Sequence, residues 1–537
     1  MVKEITIEIK HPEAIVMLLI LAIFLFFEMQ ITFNSPVAFG DEAYHARMAE
    51  YVSVKGDYPV WDPNKGTNLL KLGYFRPPLW HMLVGGFYLI FGFNDIIIKF
   101  LTPLIGTLFL GSISFLFGKK VFNKKIGFIA AIIAVTLPTI ITYSVLFYDD
   151  ILFVFYFSMF VLTFLLATES EHRKYWIAAG IFGALAALSK PVGYVTVPFL
   201  IIFYFVYQSY KQGVSKIFKN YVIMILLLGL LFSPFMLRNL VYFKTPICGG
   251  LIPLLNQASC SKIFQYKNIK QFETTPGDAG SEASILKAGV INYFNFVYGN
   301  IWFVPFTFLC GLFILASRKK DIDIKIIFII LAFLLVFYVE MKGRLEELGR
   351  HTLGLAFVVA LISANFFERI YDFLNSHIKW VGIIVFVLVV GLCFLGLRDK
   401  LTGMKQVKAF SPSFFEATNF IKQNTSQAAL VLTVWEEPTI YNSQRNSIQI
   451  GALPDSGDIA LSGDLNLTLS RLKQHGITHI FIQKFSINPS YLPIEFVQFL
   501  EKNPENFVKI YENGPSLQQC LQAGGCDGTL IYEIKYG

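Results

Sequence analysis

Charged side chains are scarce in this chain. Asp, Glu, Lys and Arg make up 15% of its 537 residues, whereas a soluble domain of this size carries about 25%. This scarcity excludes an ordinary soluble protein. Hydrophobic residues account for 55% of the chain, and apolar runs of roughly twenty residues, each long enough to cross a bilayer core of about 30 Å, recur along its first three quarters. The sequence therefore predicts a polytopic α-helical membrane protein.

Three further features are missing from the sequence, and each absence excludes a class of protein or of binding site. The sequence shows no internal repeat and no low-complexity segment, which excludes a solenoid and a disordered scaffold. Its polar C-terminal part has no glycine-rich phosphate loop of the kind that binds nucleotides. The net charge is +8, but the basic residues cluster between apolar runs, as they do in cytoplasmic loops of membrane proteins. Nucleic acid is therefore not an expected partner.

The hydrophobic pattern predicts about eleven transmembrane helices within residues 1–397. The stretch Leu79–Phe93 is apolar but too short for a span, and counting it as one would place the lysines at 119–125 outside the cell. As a helix along the membrane surface, within an external loop 33–95, it leaves every basic loop inside. The predicted spans are 13–32, 96–117, 126–146, 151–168, 175–189, 192–208, 219–237, 291–316, 324–341, 352–368 and 379–397.

Residues 398–537 differ from the rest because they are polar and carry Gly, Pro and Asn between short apolar segments. Helical and strand patterns alternate there, which predicts a soluble, extracytoplasmic α/β domain with a mostly parallel sheet. The helices are expected at 414–423, 467–475 and 496–503, and the strands at 429–435, 478–483, 507–511 and 529–534.

Two acidic pairs lie at the ends of apolar runs on the predicted external face. Asp41 and Glu42 precede His45 shortly after the first span, and Asp149 and Asp150 stand at a later external turn. Carboxylates at a membrane boundary cost desolvation energy and suggest a functional site. Asp41 also suits the N-cap of a helix, and that role is compatible with a general base that takes a proton from an attacking hydroxyl.

The order of these motifs resembles the GT-C superfamily of membrane glycosyltransferases, in particular the protein O-mannosyltransferase and lipid A aminoarabinose transferase branch. The resemblance covers about the first 210 residues. It rests on an apolar span followed by Gly-Asp-Glu-Ala-Tyr at 40–44, Arg-Pro-Pro-Leu-Trp at 76–80, Lys-Lys-Val-Phe at 119–122, the acidic turn at 149–150 and Ser-Lys-Pro-Val-Gly at 189–193.

The resemblance implies roles for individual residues. Asp41 matches the catalytic base and Glu42 its partner, while Asp149 or Asp150 matches a second acidic residue of the site. Arg76 and Lys190 match basic residues near the phosphate of the lipid-linked donor. Phe75 departs from the pattern, because aminoarabinose transferases carry glutamate there, and this puts an aminoarabinose substrate in doubt.

Other candidates come from the residues themselves. Arg350 begins a span at the external interface, where it could bind a lipid phosphate through two hydrogen bonds, although this turn also fits an ordinary solvated loop. His45, Tyr74 and His351 are possible substrate contacts. Arg238, after the seventh span, is a weaker candidate because interfacial arginines often only anchor a helix.

Two cysteine pairs and a possible metal site lie on the same predicted face. The pairs Cys248/Cys260 and Cys520/Cys526 are closely spaced and lie on the external side, which favours two disulfides. Asp41, Glu42 and His45 could bind a divalent metal ion, but oxygen-rich sites need more ligands than the two carboxylates supply. A divalent metal is thus the one cofactor left open.

The sequence therefore predicts an inverting glycosyltransferase of the cell membrane with its active site outside the cytoplasm. It would transfer a sugar from a polyprenyl- or dolichyl-phosphate donor to a protein, lipid or glycan acceptor. An enzyme that transfers a lipid-linked oligosaccharide is one alternative, although the tail lacks the Trp-Trp-Asp motif of that branch. A transporter or flippase of lipid-linked sugars is the other, and it normally places ionisable residues near the midplane between inverted repeats.

Overall fold

The fold is described from a computed structural model with side chains. It describes residues 12–37, 41–60, 76–170, 172–247, 303–317, 324–341, 353–378, 380–408, 411–453, 455–487, 492–522 and 526–537.

The described part of the chain before residue 409 consists mainly of helices, most of them apolar. They are α1 (Pro12–Phe33), α2 (Glu42–Lys55), α3 (Leu79–Phe91), α4 (Asp95–Pro103), α5 (Leu110–Val121), α6 (Lys124–Thr136), α7 (Pro138–Val145), α8 (Asp150–Glu169), α9 (Arg173–Ser189), α10 (Gly193–Gln212), α11 (Val214–Phe243), α12 (Phe303–Ser317), α13 (Ile324–Met341), α14 (Leu353–His377) and α15 (Val381–Lys408).

Seven helices of the described ranges are long and apolar enough to cross a membrane: α1, α4 joined to α5, α8, α10, α11, α14 and α15. The bent pair α6–α7 makes an eighth if it is one span. Helices α9, α12 and α13 lie at the other three predicted spans and are shorter, with 17, 15 and 18 residues. The protein is thus a multi-pass membrane protein, as the sequence predicted.

Two of the spans are interrupted, and both interruptions have a local cause. A π-helix, Leu104–Phe109, follows Pro103 and joins α4 to α5. Helix α6 ends at Thr136. Leu137 follows with an extended backbone (ψ 130°), the conformation favoured before a proline, and Pro138 then starts α7 at an angle of 59° to α6. This bend carries the chain towards α2 and places the turn at 146–149 beside it.

Helix α3 confirms the helical prediction for Leu79–Phe93. Pro78 precedes its first residue, and the helix ends at Phe91 before Gly92, whose φ is +78°. Trp80 and His81 are buried against the bundle, whereas Leu89 and Ile90 at the other end are exposed.

The tail forms a small α/β unit around a five-stranded sheet of order β2-β1-β3-β5-β4. Its strands are β1 (Leu430–Thr433), β2 (Asn446–Gln449), β3 (His479–Gln483), β4 (Phe507–Asn513) and β5 (Thr529–Ile534). Its helices are α16 (Pro412–Asn424), α17 (Glu436–Ser443), α18 (Ser456–Ala460), α19 (Leu465–Gln474), α20 (Ile494–Lys502) and α21 (Leu517–Gln522).

The prediction of a mostly parallel sheet was wrong. Strand β1 pairs in parallel with β2 and β3, but β5 is antiparallel to both β3 and β4. The final strand returns beside its predecessor and inserts between β3 and β4, which reverses its direction. The segment that joins β4 to β5 carries the predicted disulfide between Cys520 and Cys526.

The tail packs directly on the membrane part. Helix α15 continues to Lys408, so the domain boundary predicted at 397/398 falls within a helix. Helix α17 packs against α2. From α17, Tyr441 donates a hydrogen bond to a carboxylate oxygen of Asp95, and its ring centroid lies 6.0 Å from that of Phe93.

Helices α5 and α6 approach closely at a pair of glycines. A Cβ atom on Gly118 would lie 2.5 Å from the Cα of Gly127, and one on Gly127 would lie 2.5 Å from the carbonyl oxygen of Phe115. Small residues at such crossings let two backbones pack by van der Waals contact.

Replacing Gly118 by alanine should therefore destabilise the protein, because the new methyl group meets backbone that cannot move aside. We expect a loss of about 1–3 kcal/mol, seen as a lower apparent melting temperature in detergent. Gly229→Ala is the control, since nothing lies within 4 Å of its added Cβ. Equal melting temperatures for Gly118→Ala and Gly229→Ala would contradict the close packing.

Candidate active site

The acidic start of α2 is held against the turn that follows α7. Asp41 occupies the N-cap position, as predicted, but its side chain makes no capping hydrogen bond to the helix. Its backbone N–H donates to the hydroxyl of Tyr148 at 3.2 Å. Helix capping therefore does not occupy the Asp41 carboxylate.

Glu42 is the inner member of this pair. Its side chain is fully buried, and its Oε1 accepts a hydrogen bond from the backbone N–H of Phe147 at 3.0 Å. A buried carboxylate must be matched by donors, because desolvation of the charge is costly. Glu42 thus fixes α2 to the turn that carries Asp149.

One turn along α2, His45 belongs to a chain of four polar side chains. His45 Nδ1 lies 2.9 Å from His81 Nε2, and His81 Nδ1 lies 3.4 Å from the hydroxyl of Tyr58. At the other end, His45 Nε2 lies 3.8 Å from Asp149 Oδ1. These four side chains link α2, α3 and the start of α8.

The hydrogen bonds assign the donor and the acceptor at each contact between these four side chains. The hydroxyl of Tyr58 donates to the carbonyl oxygens of Arg76 and Pro77, at 3.0 and 3.2 Å, so its oxygen is left to accept from His81 Nδ1–H. His81 Nε2 then accepts from His45 Nδ1–H. This arrangement orients His45 Nε2 towards Asp149.

His81 is held neutral by its surroundings, outside the membrane-spanning helices. Burial lowers the pKa of His81 well below its usual value of 6.5, and the nearby His45 and Arg76 lower the pKa further. A neutral imidazole can both donate and accept a hydrogen bond, and His81 needs both to contact Tyr58 and His45.

The two residues of the second acidic pair lie in different environments. Asp149 faces His45, whereas Asp150, the first residue of α8, lies 2.5 Å from the Nζ of Lys190. Side-chain exposure is 2% for Asp150 and 13% for Lys190, so this is a largely buried ion pair. The sequence left open which aspartate belongs to the site, and the structure places Asp149 beside His45.

Two arginines flank the same region. The guanidinium carbon of Arg76 lies 4.8 Å from the ring centroid of Tyr44, and that of Arg238 lies 5.1 Å from the ring centroid of Tyr58. Arg238 also donates to the carbonyl oxygen of Pro59. Arg238 therefore belongs to this cluster, although the sequence gave it little weight.

The described side chains of this cluster are called the external cluster below, after the face on which the sequence predicts the site. They comprise Asp41, Glu42, His45, Tyr58, Arg76, His81, Asp149, Asp150, Lys190 and Arg238. His81 and Tyr58 were not predicted, because single His and Tyr residues in an aromatic loop have no pattern that singles them out. Tyr74, Arg350, His351, Cys248 and Cys260 lie outside the described residues, so their predicted roles stay predictions.

The sequence suggested Asp41, Glu42 and His45 as possible ligands of a divalent metal ion. In the residues that the structure describes, no group of three or more His, Cys, Asp or Glu side chains could hold a metal ion. Glu42 contacts a backbone N–H and His45 Nδ1 contacts His81, so the three do not converge on one point.

Comparison with known sequences supports the resemblance. Residues 75–237 match the family described as dolichyl-phosphate-mannose-protein mannosyltransferase. An uncharacterised protein of Aquifex aeolicus is 22% identical over 59% of this chain and 60% of its own length. The undecaprenyl phosphate-alpha-4-amino-4-deoxy-L-arabinose arabinosyl transferase of Wigglesworthia glossinidia brevipalpis is 30% identical over 28% of this chain and 27% of its own length. The chain thus spans less than two thirds of either relative.

Solved structures show the fold. ArnT from Cupriavidus metallidurans bound to undecaprenyl phosphate aligns with a TM-score of 0.62 at 12% identity, covering 97% of this chain and 98% of its own. The oligosaccharyltransferase AglB from Archaeoglobus fulgidus, in complex with an inhibitory peptide and a dolichol-phosphate, aligns with a TM-score of 0.63 at 14% identity, covering 93% and 73%. The chain therefore has the GT-C fold of membrane glycosyltransferases, as the sequence predicted.

Removal of Lys190 should destabilise the protein, because Asp150 would remain buried without its cation. We expect Lys190→Ala to cost about 3–5 kcal/mol, measured by thermal unfolding in detergent, and Asp150→Asn combined with Lys190→Met to recover much of the loss. Lys535→Ala is the control, because its ion pair with Glu533 is exposed and such pairs contribute about 0–1 kcal/mol. A Lys190→Ala protein as stable as this control would refute the buried pair.

His81 should make stability depend on pH. Because its pKa is lowered in the folded state, the unfolded chain binds more protons, so stability is complete above about pH 6.5 and falls as the pH drops below that value. We expect the apparent melting temperature of His81→Gln to fall less between pH 7.5 and 5.5 than that of the unaltered protein. Substitution of the exposed His377 by Gln should leave the pH profile unchanged, and an unaltered profile for His81→Gln would show that His81 is not the group responsible.

Proposed function

We propose that this multi-pass membrane protein with the GT-C fold is an inverting glycosyltransferase. It transfers a sugar from a polyprenyl- or dolichyl-phosphate donor to an acceptor outside the cytoplasm. The observation that carries the proposal is the external cluster, in which carboxylates and cations from five separate segments of the chain meet. The match to a dolichyl-phosphate-mannose-protein mannosyltransferase family and the likeness to ArnT with undecaprenyl phosphate support a polyprenyl-phosphate donor.

Asp41 is the proposed general base. Its backbone is fixed by Tyr148 and its carboxylate makes no helix-capping hydrogen bond. Its residue is also less buried than Glu42, which leaves room for an acceptor hydroxyl to approach. Proton removal by a positioned side chain contributes about 10²–10⁴ to a rate. Inversion needs one such base on one face of the sugar and a stabilised leaving group on the other.

His45 and Asp149 are the proposed polar contacts of the substrate. His81 holds His45 in one orientation through a hydrogen bond of 2.9 Å, and the gap of 3.8 Å between His45 Nε2 and Asp149 Oδ1 exceeds a hydrogen bond. Sugar or acceptor hydroxyls near this gap would meet the carboxylate of Asp149 and an imidazole nitrogen of His45. We propose that His81 acts only through His45, as a positioning residue.

The cations of the cluster are the proposed phosphate contacts. Fixed positive groups stabilise the charge that grows on a phosphate as the bond to the sugar breaks. Arg76 can use its guanidinium fork for this purpose. Lys190 is oriented by Asp150 at 2.5 Å, so Asp150 is a positioning residue rather than a base. Arg350 remains a further prediction for the same role.

The extracytoplasmic location of this site is also a proposal. Helix α8 begins at Asp150, within the external cluster, and ends at Glu169, which pairs with Lys120. The basic segments at 119–125 and 173–174 thus lie at the opposite end of the bundle. The positive-inside rule assigns that end to the cytoplasm.

Transfer of a lipid-linked oligosaccharide is the second candidate. The likeness to AglB over 93% of this chain favours it, but the absence of a Trp-Trp-Asp motif from the tail sequence counts against it. Transport is disfavoured because the ionisable residues of the external cluster lie at one end of their helices rather than near the middle.

Substitution of Asp41 by Asn should abolish sugar transfer while the protein remains folded. We expect a loss of about 10²–10⁴-fold in rate, because the amide cannot take the acceptor proton. Mass spectrometry of glycans and lipids from cells that lack the protein would first identify the missing product, and re-expressed variants are then tested for its restoration. Asp57→Asn is the control, since Asp57 is exposed beyond the other end of α2. Full restoration by Asp41→Asn would refute the base.

A further inference from the structure

Two buried hydrogen-bond donors lie beside the external cluster and have no partner in the part of the chain that the structure describes. They are the hydroxyl of Tyr194, in the first turn of α10, and the amide nitrogen of Asn239, near the end of α11. Tyr194 is 7% exposed and Asn239 is 0% exposed. A polar group that is buried without a partner destabilises the folded protein, so each such group needs an explanation.

The two donors lie around one guanidinium, that of Arg238. An N–H of Arg238 donates to the Oδ1 of Asn239 at 2.9 Å, which leaves the NH₂ group of that amide as a donor. The ring of Tyr194 packs against the ring of Phe235, one helical turn before Asn239, with centroids 6.4 Å apart. The hydroxyl of Tyr194 also interacts electrostatically with the guanidinium of Arg238 and the hydroxyl of Tyr58. Side chains of α10 and α11 thus bring their donors to the same place.

These side chains adjoin the residues that we propose as phosphate contacts. The guanidinium carbon of Arg238 lies 5.1 Å from the ring centroid of Tyr58, and the Tyr58 hydroxyl donates to the carbonyl oxygen of Arg76. Lys190 stands four residues before Tyr194, at the end of α9. A ligand bound in the external cluster could therefore reach the donors of α10 and α11 as well.

The chemistry of the three side chains suits a ligand that accepts hydrogen bonds. A guanidinium and an amide NH₂ group can only donate, and the hydroxyl of Tyr194 can donate as well. An ionised phosphate presents acceptor oxygens in several directions, and hydrogen bonds between a phosphate and a guanidinium are short and strong because both groups are charged. A phosphate group therefore matches these donors better than a neutral hydroxyl group does.

We propose that Tyr194 and Asn239, together with Arg238, bind the phosphate of the polyprenyl-phosphate donor. The hydroxyl of Tyr194 and the NH₂ group of Asn239 each donate to a phosphate oxygen, and Arg238 adds a charged contact. Both donors then gain the partners that they lack within the described chain, which offsets the cost of burying them. This inference rests on the proposed function and assigns the donor phosphate to two further residues.

Binding of undecaprenyl phosphate and of dolichyl phosphate to the full-length protein in detergent tests the role of Tyr194. We expect Tyr194→Phe to weaken the tighter of the two complexes about tenfold, because it removes one hydrogen bond to a charged group. Without lipid, the melting temperature of Tyr194→Phe should not fall, since the lost hydroxyl has no partner among the described residues. Tyr88→Phe is the matched control, because the Tyr88 hydroxyl is also buried and unpartnered there but lies on α3, outside the external cluster.

Substitution of Asn239 tests the second donor. Asn239→Leu should weaken binding of the same lipid phosphate about tenfold, because the NH₂ group is lost. Asn365→Leu should leave the affinity unchanged. Both asparagines are fully buried, and within the described chain neither amide nitrogen has a partner, but Asn365 belongs to α14 and lies outside the external cluster.

Undecaprenol and inorganic phosphate are the comparison ligands. If each variant binds the lipid phosphate as tightly as its control does, the assignment of these two residues fails while the proposed donor stands. A melting temperature of lipid-free Tyr194→Phe well below that of Tyr88→Phe would show a structural partner for the hydroxyl and would also overturn the assignment. Inorganic phosphate that binds as tightly as the lipid phosphate would do the same. Failure of the unaltered protein to bind either lipid phosphate more tightly than undecaprenol would overturn the proposed donor together with this inference.

Discussion

Compensation of buried charge is the constraint on which the site depends. Glu42 and Asp150 are fully buried at helix starts, where an uncompensated carboxylate would cost several kcal/mol. Glu42 receives a backbone N–H and Asp150 receives Lys190. Each compensating group comes from another segment of the chain, so satisfying these charges also assembles the site. The arrangement of α2, α8 and the end of α9 follows from that requirement.

Breaks in the helices supply the partners that this constraint needs. A straight α6 would not deliver the N–H of Phe147 to Glu42. The extended Leu137 and the following Pro138 redirect the chain by 59° and bring the turn after α7 beneath α2. Prolines are tolerated in membrane helices because neighbouring groups satisfy the freed backbone atoms. Here the break serves the geometry of the site as well as the path of the chain.

Much of this structure could be predicted from the sequence, but not all of it. Hydrophobic runs located the spans, and acidic pairs at their ends located Asp41 and Asp149, because charge at a membrane boundary is rare enough to be informative. His81 and Tyr58 escaped prediction and Arg238 received little weight, since their importance arises only from contacts between distant segments. Strand β2 was missed because four residues with two polar ends carry too weak a pattern. The direction of β5 depends on which neighbours it pairs with, and hydrophobicity does not encode that choice.

The packing of the tail against α2 has a consequence for how the protein can be divided. Helix α17 rests on the same helix that carries Asp41 and His45, and Tyr441 is anchored to Asp95 at the start of a membrane span. The tail is therefore not a detachable module. A chimaera that exchanges the tail for another would need a matching surface on α2 and at Asp95.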